Sequence, residues 1–290
     1  MILVTGVTGT VGRGVLEEVR TSGKPFKALY RSEADARKAP AGVTAVVGDF
    51  SAKASLSDAL RGIATVFLVC SPIPDLVELE SNVLDACLES GVNHVVLNSA
   101  LGAGDYPKSF PGWHRKVEDK LKATRLSYTI LRPNGFMQNI LAYLAPSIRA
   151  QGAFYAAMGN ARTSYLDVRD IAAVIGKILI QPTGHIGKTY ELNGPEAVSY
   201  PELARRISYV ANREIKFVDI PESAQRKSML DLGMPAWQVD ALLDLQQYYV
   251  GGQGGEVTDV LPRLLGRAPV TLAQFLPEFR EEFHTQAASA

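Results

Sequence analysis

The stretch Ile2–Val19, ILVTGVTGTVGRGVLEEV, constrains the fold more than any other part of the chain. A short apolar, β-branched run ends at Thr5, glycines fall at Gly6, Gly9 and Gly12, and an amphipathic helix begins at once. Gly6 permits a tight turn, Gly9 lets a phosphate approach the backbone, and Gly12 lets the helix pack close to the strand. The N–H groups of Thr10, Val11 and Gly12, with the helix dipole behind them, then face an anion. A glycine triple alone is weak evidence. One that follows a strand, opens a helix and begins an alternating array reads as a dinucleotide cradle, formed by Gly6, Thr8, Gly9, Thr10, Val11 and Gly12.

The array continues through the first half. Apolar runs recur at Ile2–Thr5, Phe26–Tyr30, Thr44–Val47, Val66–Val69, His94–Leu97 and Tyr128–Leu131, with helical stretches between most of them. Leu76, Leu79, Val83 and Cys87 step by three and four, which predicts a helix packed on one side. Strands alternating with helices predict an α/β fold with a parallel sheet covered on both faces. Beyond Arg132-Pro133 the pattern loosens. It predicts a helix over Phe136–Arg149, short strands near Phe154 and over Ser164–Leu166, a helix from Val168, and strands at Thr189–Leu192 and Ile215–Val218. Pro201, Pro221, Pro235 and Pro269 each stand near an expected helix start. GGQGG, Gly251–Gly255, reads as a flexible connection, either a plain surface loop or a substrate gate. The one low-complexity block is the expected frayed end TQAASA, residues 285–290.

The chain has 290 residues and a formal net charge of +0, which gives no electrostatic reason to expect nucleic acid or an anionic membrane as a partner. No apolar run approaches the roughly 20 residues that span a bilayer. The N-terminus opens directly on a strand, without the pattern of a signal peptide. Cys70 and Cys87 lie in apolar surroundings and read as buried free thiols of a reducing compartment. A cytoplasmic protein is expected.

An acidic residue about 20 positions past the glycine loop would hold the ribose hydroxyls of NAD. Here Arg31 stands nineteen past Gly12, with Arg37 and Lys38 following, and a guanidinium fork matches the 2′-phosphate of NADP. Arg31 as a solvated strand-end charge is the alternative. Asp49 and Phe50 in VGDF could bound the adenine pocket, and VCSPIP, with Ser71, closes the fourth strand at the sheet edge where such folds bind ligands.

With these residues placed, the chain resembles the NmrA-like branch of the atypical short-chain dehydrogenases/reductases. The resemblance is carried by VTGVTGTVG in its G-x-x-G-x-x-G form, FKALYR, GDF, LRPNGFMQN, YLDVRDIA, YELNGPEAVSYPELA and LLGRAPVTLAQFL. It implies a Rossmann-type doubly wound parallel sheet (residues 1–150, with about 164–195 returning to it) and a small, mostly helical C-terminal substrate lobe (196–290). It also implies NADP binding and a substrate pocket between the two. Members range from NADPH-dependent reductases of quinones, dyes and related conjugated compounds to proteins that bind the dinucleotide and regulate a partner without catalysis.

The resemblance also sharpens the reading of GWHRKVEDK, residues 112–120, where His114 and Glu118 share one helix face. Catalytic short-chain dehydrogenases carry Tyr-x-x-x-Lys on this helix; here His114 stands at the tyrosine position and Glu118 at the lysine. Related aromatic-alcohol and lignan reductases carry a lysine where His114 stands. Histidine can transfer a proton near neutral pH, and Glu118 could hold its imidazolium. The alternatives are His114 as a silent wall of the cofactor site and Glu118 as an ordinary packing carboxylate.

Ser99 matches the region that supplies a hydroxyl near the nicotinamide. Pro133, Asn134 and Gly135 would bring backbone to the ring, and Phe136, Met137 and Asn139 would face the substrate. Trp113, Phe136, Tyr143, Tyr155 and Tyr165 could give flat walls for an aromatic or quinoid ligand. His94, His185 and His284 show no metal-ligand spacing, so no metal is expected. The expectation is an NADPH-dependent reductase acting as monomer or homodimer, with a non-catalytic NADP-reading regulator as the alternative. A sugar-nucleotide isomerase is disfavoured, since it too relies on the missing tyrosine.

Overall fold

The computed structural model describes residues 1–284; the segment expected to fray, 285–290, lies outside them. The chain forms two compact units, Met1–Pro133 with Val168–Glu191, and Asn134–Asp167 with Leu192–Ala290. In chain order the first unit carries β1 (Ile2–Val4), α1 (Thr10–Thr21), β2 (Phe26–Tyr30), α2 (Glu33–Ala36), β3 (Ala45–Val47), α3 (Lys53–Ala59), β4 (Thr65–Leu68), α4 (Leu76–Glu89), β5 (His94–Asn98), α5 (Ser109–Lys122) and β6 (Ser127–Pro133). The second unit then takes α6 (Ala145–Gln151), β7 (Ala153–Ala156) and β8 (Arg162–Thr163). The chain returns for α7 (Val168–Ile180) and β9 (Lys188–Leu192). It ends with β10 (Val198–Ser199), α8 (Tyr200–Ala211), β11 (Lys216–Asp219), α9 (Glu222–Asp231), α10 (Ala236–Val250), α11 (Val260–Leu265) and α12 (Leu272–Glu278).

The first unit is built on a seven-stranded sheet in the order β3-β2-β1-β4-β5-β6-β9. The pairings from β3 through β6 are parallel. Strand order reverses beside β1, the switch point of a doubly wound sheet. Helices cover both faces, so β1 and β5 are buried along their whole length, which is why their sequences are unbroken apolar runs rather than alternating ones. Leu68, Leu84, Leu97 and Leu121 are among the fully buried side chains of this core.

The packed face of α4 carries Leu76, Val83 and Cys87 of the expected stripe, with Glu80 and Leu84 buried beside them and Leu79 only half-buried. A carboxyl therefore sits in this core, and burial pushes Glu80 up to about 8, so it is accommodated in its neutral form. Of the two thiols, Cys87 is buried as expected and Cys70 half-buried; both are free, and burial pushes each up to about 12. Helices α1 and α7 meet through two glycines. A Cβ on Gly14 would lie 2.8 Å from Ala172 Cβ, and one on Gly176 would lie 2.6 Å from Glu18 Cβ.

In the second unit β7 pairs with β11 in parallel and β8 with β10 antiparallel, over a core that includes Phe154, Leu203, Ile207, Phe275 and Phe283. The helix expected over 136–149 forms from Gln138 onward, with a π-helical turn inside it. Phe136 bridges Leu166 as extended backbone ahead of it, a π-helical turn runs over Ile140–Leu144, and α6 continues directly from that turn with Pro146 near its start. The strand expected at Ser164–Leu166 is reduced to β8 and that single bridge. Pro201 lies in the first turn of α8 behind a Ser199–Glu202 capping box, and Pro221 and Pro235 occupy the N-cap positions of α9 and α10. The second unit begins at Asn134, whose side chain is bonded to Ser164 and Asn193 of the same unit. No described helix is long and apolar enough to cross a membrane.

Candidate functional site

At the glycine loop the structure bears out the steric reading. Gly6 has φ 61°, in the left-handed region, and a Cβ there would lie 2.5 Å from Val69 Cγ1. A Cβ on Gly12 would lie 2.1 Å from the Gly6 carbonyl oxygen, closer than any side chain can come. Gly9 is the N-cap of α1, so no side chain caps the first turn, and Thr8, Gly9 and Thr10 are exposed. An open, uncapped helix N-terminus beside a tight glycine turn suits a pyrophosphate.

Arg31 is exposed directly after β2. Ser32 beside it caps α2, accepting from the Asp35 N–H at 3.2 Å. Asp49 follows β3 and accepts from the Ser51 N–H and hydroxyl, both at 2.8 Å. These bonds, the backbone one first, hold its carboxyl below the usual range, with a smaller contribution from Arg31. Phe50 packs half-buried against the core, and Ser71 is exposed past β4. Because β3, β2, β1 and β4 are neighbours in the sheet, these residues share its carboxyl edge.

Past β5 lies a buried ionic cluster that spacing alone did not reveal. Glu118, 1 % exposed, accepts from Ser99 Oγ (2.7 Å), Arg132 Nε (2.9 Å) and Nη2 (2.7 Å), and Lys122 Nζ (2.9 Å). Arg132 reaches on to Glu191 at 3.1 Å. Burial by itself would raise Glu118; the hydrogen bonds from Arg132, Lys122 and Ser99 outweigh it and bring the carboxyl down to about 2. The expected imidazolium–carboxylate pair does not form, since these donors take both Glu118 oxygens. His114, also buried, has no hydrogen-bond partner on Nδ1, and desolvation lowers the ring to about 4 against a smaller upward pull from Glu118. The imidazole is neutral at physiological pH.

The second unit encloses a cavity of 340 Å³. Of the residues expected to face substrate, Asn139, Tyr143, Tyr155 and Tyr165 line it, together with Gly135. Three others do not. Met137 is fully buried in the core of this unit, and Phe136 is half-buried where its backbone bridges Leu166. Trp113 belongs to the first unit, packed edge-on to Phe110 with ring centroids 5.3 Å apart. Sequence reasoning missed Tyr200, Tyr249, Met158, Met229 and Met234, which complete the walls. A signal was present: three of the chain's five methionines line this one cavity. A wider surface groove of 710 Å³ in the same unit is lined by Gly252 and Gly255 of the GGQGG loop, but by none of the residues expected to face cofactor or substrate.

GGQGG is not a free gate. The Gly254 carbonyl accepts from Asn134 Nδ2 and the Ser164 N–H, both at 2.9 Å, and a Cβ on Gly254 would lie 2.1 Å from the Tyr249 ring. The loop is pinned beside a cavity-lining tyrosine. Among the described residues no group of three or more His, Cys, Asp or Glu side chains is placed to hold a metal.

A profile of the NmrA-like family matches residues 1–259. An NAD(P)H azoreductase of Xenophilus azovorans is 35% identical over 95% of this chain and 96% of its own length. A (4-alkanoyl-5-oxo-2,5-dihydrofuran-3-yl)methyl phosphate reductase of Streptomyces griseus is 32% identical over 98% of this chain and 99% of its own. Among solved structures, an NADPH-dependent quinone oxidoreductase of Escherichia coli complexed with NADPH superposes with a TM-score of 0.90 at 27% identity, covering 96% of this chain and 99% of that one. With its glycine cradle and doubly wound sheet in place, the chain belongs to the NmrA-like family.

Proposed function

We propose that the protein is an NADPH-dependent reductase of small, planar, electron-poor acceptors such as quinones, conjugated carbonyls, imines or dyes. The observation that carries this reading is the full-length likeness to an NADPH-bound quinone oxidoreductase. The loop Gly6–Gly12 would hold the pyrophosphate and Arg31 the 2′-phosphate, with Asp49, Phe50 and Ser71 along the same sheet edge and the backbone of Pro133–Phe136 toward the nicotinamide. Bound NADPH supplies the hydride.

His114 takes the part of a neutral wall of the cofactor site. A buried imidazole held near 4 has no proton to release as imidazolium at pH 7, and His114 does not line the acceptor cavity, so the reading asks no proton of it. A quinone needs none, because the hydroquinone anion formed on hydride arrival takes its proton from water. Ser99, Glu118 and Arg132 act as positioning residues that lock the end of β5 to α5 and β6. The cavity walls of Tyr143, Tyr165, Met229 and Met234 receive the flat acceptor. The same reading takes the protein as a cytoplasmic monomer or homodimer. Anaerobic mixing of purified protein with NADPH and an acceptor panel tests it: acceptor-dependent oxidation is expected with at least one quinone, and none with any member of the panel overturns the reading.

A further inference from the structure

We infer that Glu80 is a proton-linked positioning residue of the nucleotide edge: uncharged, it backs the segments that follow β1, β3 and β4, and on losing its proton it loosens their hold on NADPH. The inference rests on nucleotide binding alone and asks nothing of the acceptor. The observation is a carboxyl with no part in the chemistry, 0 % exposed inside the first unit, whose two oxygens find no hydrogen-bond partner among the described residues. A buried carboxylate without partner or counter-charge is among the costliest groups a core can hold.

Its place in the fold joins Glu80 to the nucleotide edge. The end of β4 runs on through Val69 and Cys70 to Ser71, and the Cys70 N–H is directed at the Glu80 carboxyl without closing a hydrogen bond. The Val69 N–H donates to Thr5 Oγ1 at 3.1 Å, and Val69 Cγ1 would lie 2.5 Å from a Cβ on Gly6. The residue beside Cys70 is therefore one wall of the glycine turn. From Ser71 the chain turns straight into α4, the Ile73 N–H donating to the Ser71 carbonyl and the Leu76 N–H to the Ile73 carbonyl. Two residues past Glu80, Asn82 Nδ2 donates to the Phe50 carbonyl at 3.0 Å. The first half of α4 thus stands behind three of the segments expected to meet the dinucleotide.

Nothing packed around α4 offers a counter-charge. On α4 itself Glu78 is exposed, and Asp85 pairs with Lys53 of α3 at 3.2 Å and Lys120 of α5 at 2.7 Å. Asp58 of α3 pairs with Arg61. On α5 Lys116 is exposed, His114 is neutral and Glu118 is taken by Arg132, Lys122 and Ser99. The one histidine of β5, His94, stands at its opposite end, bonded to Thr129. The Cys70 thiol, pushed up to about 12, stays neutral. Burial, opposed only by the Cys70 N–H, pushes Glu80 up to about 8. Above that pH the carboxylate reaches water only if the start of α4 and the Ser71–Asp75 turn move, and its charge repels the phosphates of NADPH. Both effects lower affinity as pH rises, and by linkage NADPH binding takes up a proton.

Fluorescence titration of NADPH at pH 7 and pH 9, at constant ionic strength, tests this. The 2′-phosphate, which titrates near about 6, is fully charged at both. Wild-type affinity should fall at least about threefold, while Glu80→Gln, neutral and of the same shape, should keep its pH 7 affinity at pH 9. Calorimetry at pH 8.5 in two buffers of different ionisation heat should show proton uptake on binding by the wild type and none by the variant. A flat wild-type profile, or the same fall and the same proton uptake in Glu80→Gln, overturns the inference. Should Glu80→Gln not fold, Glu80→Leu, apolar and of similar volume, carries the same expectation. Failure to bind NADPH even at pH 7 overturns the nucleotide edge and this inference together. A wild-type fall that Glu80→Gln abolishes, without reduction of any acceptor, leaves the inference standing while the reductase reading falls.

Discussion

At the residue scale, Glu118 and His114 show how neighbours one turn apart are driven to opposite electrostatic extremes. Glu118 is as buried as His114, but three donors hold its charge, so its carboxyl falls to about 2 while the imidazole falls to about 4. Both shifts tie stability to pH with the same sign. The His114 ring binds a proton near 6.5 when unfolded and only near 4 when folded, so stability is lost as pH falls from about 6.5 toward 4. Glu118 adds a further loss between its unfolded value of 4.5 and about 2. His114→Phe should therefore flatten the fall of the urea midpoint between pH 6.5 and 4, and an unchanged slope would show that the ring is not held neutral. With a quinone acceptor, wild-type turnover should not follow a histidine titration between pH 6 and 8. A rate that drops through pH 6.5 would restore the imidazolium. Arg31→Asp is expected to weaken NADPH binding at least about tenfold while leaving NADH unchanged or improved, read by fluorescence titration, because it replaces a phosphate-matching fork by a repelling charge. Equal losses for both nucleotides would make Arg31 structural.

At the element scale, close approach of backbones decides what the chain tolerates. Gly176→Val puts branched carbons where α7 lies against Glu18 of α1, and should lower the thermal midpoint by an overpacking cost of about 1–3 kcal/mol, with the nucleotide loop still able to bind. Asn134→Ala removes the donor to Ser164, Asn193 and Gly254 and leaves buried acceptors short of partners, at a similar cost of about 1–3 kcal/mol. Because Gly254 packs on Tyr249, that variant should also loosen acceptor binding, whereas Gly176→Val should not. Local chemistry made some elements readable. Gly6 and Gly12 announce a turn that only glycine can make, and the β1 and β5 runs announce burial on both faces. The burial of Glu80 on α4 was not readable, because a carboxyl there looks like a solvent position until the surrounding core is seen to keep it neutral. Nor was the late start of the following helix at Gln138, where the Phe136–Leu166 bridge is a long-range pairing that overrides helical spacing.

At the scale of the whole molecule, the sheet edge and the cavity differ in how openly the sequence declares them. The dinucleotide edge is assembled from segments that each follow a strand, so Gly6–Gly12, Arg31, Asp49 and Ser71 can be placed by counting strands. The cavity draws Tyr165, Tyr200, Met229, Met234 and Tyr249 from separate segments of the second unit, and no spacing rule joins them. The Ser99–Glu118–Arg132 cluster was half legible for the same reason: Ser99 and Glu118 stood out singly, while Arg132 gave no local sign of reaching them. The central claim, an NADPH-dependent reductase of small planar electron-poor acceptors, is tested most directly by anaerobic stopped-flow oxidation of NADPH and NADH with 2-methyl-1,4-naphthoquinone. One NADPH should be consumed per quinone reduced, with kcat/KM at least about tenfold higher than for NADH, as loss of the Arg31–phosphate pairing predicts. No quinone-dependent oxidation, or equal use of the two nucleotides, would contradict the account.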